Sequence, residues 1–269
     1  MKPATSVHRY WARQLELMQT LPQAVHAREA DSIHGLRAAG RRLKATVRVY
    51  QPLLRRQLSA EVIDGLDWYN SVLGQARDAE VIHQAVAEEL RSVRKAKQLL
   101  VALDSERRRT AHLADKMLVG VRAGRVVSLV EEFVDDPWRG KGTPGRDDVL
   151  ERMHWAEFRV ARIWRQGPRN GETSTDWEHR LRRRSKVARF GAEALRDAMP
   201  GAVDTAAAYA QISTTLGVVQ DTAIINRALQ VWPKKLVGDL MATRERLATE
   251  ARDEAPDLID AALSAKLLK

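Results

Sequence analysis

Three landmarks occur twice in this chain, in the same order and with nearly the same separation. The segment "RYWARQLEL" around Trp11 is matched by "MHWAEFRVA" around Trp155. "HGLRAAGRRLK" (34–44) is matched by "HRLRRRSKVAR" (179–189), and "LGQARDAEVI" (73–82) by "LGVVQDTAII" (216–225). The offsets are 144, 145 and 143 residues. Similarity between two unrelated helices would rarely keep three landmarks in register, so an internal duplication is the better reading. Such a chain has to build one unit twice. Residues 1–140 are expected to form the first repeat and 141–269 the second. The densest Pro and Gly stretch, "DDPWRGKGTPGRDD" (135–148), reads as the connection between them.

The unit is expected to be helical. Apolar residues recur at three- and four-residue spacing, as in Leu36, Leu43, Val47, Tyr50 and Leu54, and no convincing run of alternating strand residues occurs. About four helices per half are expected. Asp31 or Ser32 could cap the helix carrying the first basic phrase, and Thr175 with Glu178 forms a capping-box pattern ahead of the second. Ser59 could start the next helix. Pro52 should end or kink the helix that reaches it. There is no cysteine, which excludes disulfide and thiolate chemistry and fits a reducing interior. The N-terminus lacks a signal-peptide core, and no apolar run approaches the ~20 residues of a membrane span. A soluble, cytoplasmic protein is expected.

The net charge of +10 is concentrated. His34–Gln57 holds seven Lys or Arg and His179–Arg189 holds six, both without an acid. These segments take 13 of the 45 basic residues, and the remainder is outnumbered by the 35 acids. At about 100° per residue, His34, Arg37, Arg41, Lys44, Arg48 and Arg55 share one strip about 80° wide. Leu36, Leu43, Val47, Tyr50 and Leu54 take the core side. In the second copy His179, Arg182, Lys186 and Arg189 repeat the strip, and Leu181, Ala188, Ala192 and Leu195 face the core. Like charges at i,i+4 cost a helix a few tenths of a kcal/mol per pair, and here no acid relieves them. Two parallel lines of charge suit a linear polyanion better than a compact ligand.

Other activities find less support in the residues. No glycine-rich phosphate loop, HExxH or Ser–His–acid context occurs, so no catalytic residue, metal ligand or cofactor is assigned and the chain is not expected to be an enzyme. Nucleic acid would suit the same bases. Single-strand binding, however, usually adds aromatic stacking. Phe190 is the one candidate stacker near either strip, so a polyanion without bases is favoured over RNA or DNA. The apolar faces of the basic helices are needed for the core, which argues against a membrane-surface role.

The phrases carry a resemblance. "SIHGLRAAGRRLKATVRVYQPLL" followed by "LGQARDAEVI" resembles the first repeat of the CHAD domain, the conserved histidine α-helical domain, and "WEHRLRRRSKVARFGAEAL" followed by "LGVVQDTAII" resembles its second. The resemblance implies an all-α fold of two four-helix bundles related by a pseudo-twofold, with a basic groove between the motif helices. It implies binding of inorganic polyphosphate in that groove, with possible targeting to polyphosphate granules. By position the binding residues would be His34, Arg37, Arg41, Lys44 and Arg48 with His179, Arg182, Lys186 and Arg189. Arg42, Arg55 and Arg183 lie off the shared pattern or beyond it and are carried as further candidates. Gln220 stands where the first repeat has Arg77. Asp78 and Asp221, kept in both, are expected to make ion pairs or caps. Family members are often fused to a β-rich triphosphate-tunnel domain, and this chain is expected to be a stand-alone module.

Overall fold

The computed structural model describes residues 1–265, and among these the chain is all α-helix with no named strand. In chain order the helices are α1 (Pro3–His26), α2 (Ser32–Tyr50), α3 (Arg56–Leu90), α4 (Lys97–Leu118) and α5 (Val121–Asp135). They continue as α6 (Arg146–Gln166), α7 (Ser174–Glu193), α8 (Ala202–Leu229) and α9 (Lys234–Ser264). The second half has the four helices expected. The first has five, because Gly120 adopts an extended conformation (φ −79°, ψ 151°) and breaks one helical stretch into α4 and α5. Among the described residues no helix is long and apolar enough to cross a membrane.

Helix ends follow the local chemistry, with three departures from the sequence reading. Pro52 acts as anticipated: α2 stops at Tyr50 and a 3-10 turn, Gln51–Leu53, follows. The cap of α7 is Thr173 rather than Thr175. Its hydroxyl accepts from the backbone N–H of Asp176 at 3.1 Å. Glu178 is instead buried and paired with Arg252 of α9 at 2.9 Å. Asp31 occupies the N-cap of α2 in the left-handed region (φ 58°) with no side-chain cap bond, and Ser32 donates back to Glu29 O. Ser59 lies inside the first turn of α3 and donates to Arg56 O.

The hairpin order α1–α2–α3 in the first half and α6–α7–α8–α9 in the second is set by sequential packing, and the halves meet where α2 packs on α7 and α3 on α8. The main hydrophobic cluster draws on both halves, from Ala4 to Ile259, and a second cluster joins Val86, Leu90 and Leu99 to Ile225, Leu229 and Val237. At its centre the Trp11 ring lies 5.0 Å from Phe133, 5.2 Å from Trp138 and 6.2 Å from Tyr50. Residues anticipated on the core side of the basic helices (Leu36, Leu43, Val47, Tyr50, Leu181, Ala188, Ala192, Leu195) are all buried. Polar ties cross the seam. Tyr50 Oη donates to Gly191 O at 3.1 Å, and Ser6 Oγ donates to Ala194 O at 2.7 Å. Gly191 permits this approach: a Cβ there would sit 2.9 Å from Met153 Sδ and 3.5 Å from a Val49 methyl.

Candidate functional site

The packing of α2 on α7 turns the two basic strips toward one groove of about 690 Å³. From α2 it takes Arg37, Arg41, Lys44 and Arg48, and from α7 it takes His179, Arg183 and Lys186. Seven of the candidate residues are therefore brought together. Arg182 is not among the residues that line the groove. It is half-buried, and its Nε donates to Ser213 O at 3.2 Å. His34 is exposed at the start of α2 and stands outside the groove wall, within reach of the Arg77 charge.

Three candidates are directed elsewhere. Arg55 falls on the strip only if the helix continues past Pro52, and α2 has ended by then. Arg55 precedes α3 and pairs with Asp136 at 3.4 Å. Arg42 leaves the groove side and meets Glu193 at 3.5 Å. Arg189 donates to the same Glu193 at 2.7 Å. Both guanidiniums stand over the Phe190 ring, at 5.8 and 5.5 Å. Both pair with the acid one turn beyond Arg189, and neither is among the residues that line the cavity.

The charges in the groove are only partly offset. Helix α3 supplies Asp67, which contacts both Lys44 and Arg48, and Asp78, which lies 3.7 Å from Arg37. Glu172 is occupied by Arg180. Among the described residues no carboxylate pairs with Arg41, Arg183, Arg184 or Lys186. The consequence is written in their protonation. Burial first, then the charges of Arg182, Arg41 and Arg37, pull the Lys186 ammonium down to about 7. Burial with Arg37 and Arg182 nearby pulls Arg41 down to about 10, which leaves it charged at neutral pH. Burial and Arg77 also hold His34 below the ordinary histidine value. The Asp78 carboxyl is raised by burial despite Arg37. A concave surface with crowded, incompletely paired cations is chemically a receptor for multiple anionic oxygens, with guanidinium groups able to make paired hydrogen bonds.

The second conserved-spacing phrase explains how the strips are held. Gly74 lies under Arg37: a Cβ there would be 3.6 Å from Nη2 and 3.7 Å from Nε. Gly217 lies under Arg182 in the same manner, at 3.4 Å from Nη2 and 3.5 Å from Nε. The "LG" of each phrase thus leaves space on α3 or α8 for the arginine of the neighbouring basic helix. One residue set further along differs. Gln220 hydrogen-bonds His179 Nδ1 through its Oε1, whereas Arg77 pairs with Glu80 at 3.2 Å beside His34. Asp78 makes the expected ion pair, while Asp221 acts by charge on Arg182 and Lys186. Sequence reasoning passed over Arg184, which lines the groove, although the run "RRR" at 182–184 was a signal for it.

Comparison with known proteins gives one consistent answer. The family model for the CHAD domain matches residues 9–230. Two relatives from Mycobacterium tuberculosis (strains CDC 1551 / Oshkosh and ATCC 25618 / H37Rv), both named as uncharacterized proteins, are 28% identical over 236 residues. That alignment covers 82% of this chain but 44% of theirs, so the chain spans under half the length of these relatives. Among solved structures, PptA from Streptomyces chartreusis superposes with a TM-score of 0.76 at 15% identity, covering 97% of this chain and 100% of that one. The CHAD domain from the plant Ricinus communis superposes at 0.74 with 17% identity, covering 100% of this chain and 94% of that one. At these identities the likeness is one of fold.

Proposed function

The chain belongs to the CHAD domain family, a helical family linked to polyphosphate binding, and from that premise we propose that the groove between α2 and α7 binds inorganic polyphosphate. The observation that carries the reading is the convergence of Arg37, Arg41, Lys44 and Arg48 with His179, Arg183 and Lys186 on one cavity whose acids are too few to neutralise it. We read residues 1–140 and 141–269 as duplicated repeats of this one domain, each contributing one wall. The proposed activity is binding rather than catalysis. A protein with such a groove would associate with polyphosphate granules.

Nucleic acid offers the same phosphates, but the groove lacks what bases require. Phe190 is the aromatic residue in the lining, it is 8% exposed, and Arg42 and Arg189 already cover it. An unbranched chain of phosphates needs no stacking partner. Each added phosphate is a nearly intramolecular contact, so affinity should rise with chain length until the groove is filled. Calorimetry with a length series of polyphosphates tests this, with duplex DNA and RNA as competitors at equal phosphate and salt. A length-dependent rise that nucleic acid does not displace is expected. Displacement by either nucleic acid, or no binding of any polyphosphate, overturns the reading.

A further inference from the structure

Helix α6 carries a third line of arginines that neither basic phrase includes. Arg152, Trp155, Arg159 and Arg162 follow one another at steps of three, four and three, the same steps that separate His34, Arg37, Arg41 and Lys44. At about 100° per residue they share one strip. The strip is organised. The Arg152 guanidinium stands 4.5 Å from the centre of the Trp155 ring and Arg159 stands 5.5 Å from it, so the indole holds two cations in a fixed array. Arg152 Nε also donates to Val49 O at 3.0 Å, which ties α6 to the last turn of α2 beside Arg48. Among the described residues no carboxylate pairs with Arg159 or Arg162. The strip adjoins the groove through Arg184, which lines it. The charges of Arg159 and Arg162 join those of Arg183 and Arg48 in bearing on the Arg184 guanidinium.

We propose that this strip on α6 is a second anion-binding surface, on which a polyphosphate chain continues after it leaves the groove past Arg184. The inference rests on the reading of the groove as a polyphosphate site. Trp155 is already engaged by Arg152 and Arg159, which favours a run of bare phosphates here over stacked bases. A ligand confined to the groove never meets the strip, while an overhanging chain gains contacts at high effective concentration.

The test compares tripolyphosphate with long-chain polyphosphate on the wild-type chain and on the double variant Arg159→Gln/Arg162→Gln, with circular dichroism and Tm as fold controls. The expected result is an about tenfold loss of affinity for the long chain, with tripolyphosphate affinity unchanged. The salt dependence of long-chain binding should also become shallower, by about 0.7–0.9 in log–log slope per lost contact, as for nucleic-acid phosphates. Unchanged long-chain affinity overturns the inference and leaves the groove reading standing. Equal losses for both probes also overturn it, because the arginines then act on the groove itself. Single-stranded DNA is run as a third probe on both proteins, and a loss seen with it alone assigns the strip to nucleic acid and overturns the inference too. Wild-type protein that binds neither polyphosphate overturns the groove reading and this inference together.

Discussion

Lys186 shows most clearly what crowding cations in the groove costs. Its ammonium is held at about 7 by burial and three guanidiniums, so near neutral pH a large share of it is unprotonated. The unfolded chain keeps that proton up to the ordinary lysine value. Fold stability from this group therefore rises with pH from about 7 towards that value. Anion binding works the other way, because phosphate oxygens favour the charged form and raise the bound-state pKa. Binding should take up a proton near neutrality. Affinity should be greatest below about pH 7 and fall by up to tenfold per pH unit above it. Lys186→Met should flatten that profile, weaken binding about tenfold and raise Tm, since an uncompensated buried charge is removed. Calorimetry in buffers of different ionisation enthalpy measures the proton uptake, and a flat profile in the wild-type protein would contradict it. The basic character of position 186 is plain in the sequence, and so is its place on the strip. Its depressed protonation is not, because that comes first from burial in the fold, then from Arg182 one turn back and from Arg41 and Arg37 on another helix.

At the level of elements, the paired glycines set a geometric requirement on the neighbouring helices. Gly74 and Gly217 leave space for Arg37 and Arg182 where α3 and α8 pass the basic helices. A methyl group at 217 would meet the guanidinium at ordinary contact distance. Gly217→Ala should thus retain binding and gain up to about 1 kcal/mol from helix propensity. Gly217→Leu has no such room and should displace Arg182, lowering polyphosphate affinity about tenfold while the helical circular dichroism persists. Full binding by the leucine variant would show that the close approach is dispensable. Helix content, the stop at Pro52 and the core faces of α2 and α7 were legible because each depends on local spacing. The division of α4 from α5 was carried by a single glycine in an otherwise helical stretch. The cap of α7 lies two residues before the one its sequence suggests, because Glu178 resembles a capping partner but is claimed by Arg252, 74 residues away. The pairing of Arg189 with Glu193 is a local i,i+4 contact and legible in the sequence, whereas that of Arg42 with the same acid depends on how α2 packs on α7.

For the whole molecule, the decisive property is the mutual orientation of the two strips, which no periodicity within one helix can encode. It is set by the contact of α2 with α7 and by close approach at Gly191. Folding therefore brings like charges together, and without added polyanion the protein should gain stability as salt screens them. Polyphosphate should raise Tm at low salt by mass action, and the rise should shrink as salt increases. Thermal melts across a salt series with and without ligand measure both trends, and a ligand-induced shift independent of salt would be inconsistent with charge pairing. The segment between the halves has a further part in this arrangement. Arg55 N donates to Pro137 O at 3.0 Å and Arg139 N to Leu53 O at 2.9 Å, and Trp138 is packed against Trp11. A connector so rich in Pro and Gly looks like a tether, yet its first part is sewn to the exit of α2. A protease that nicked the exposed stretch around Gly140–Gly142 would cut the thread beyond the stitches, leaving two fragments that travel as one particle with the groove still assembled.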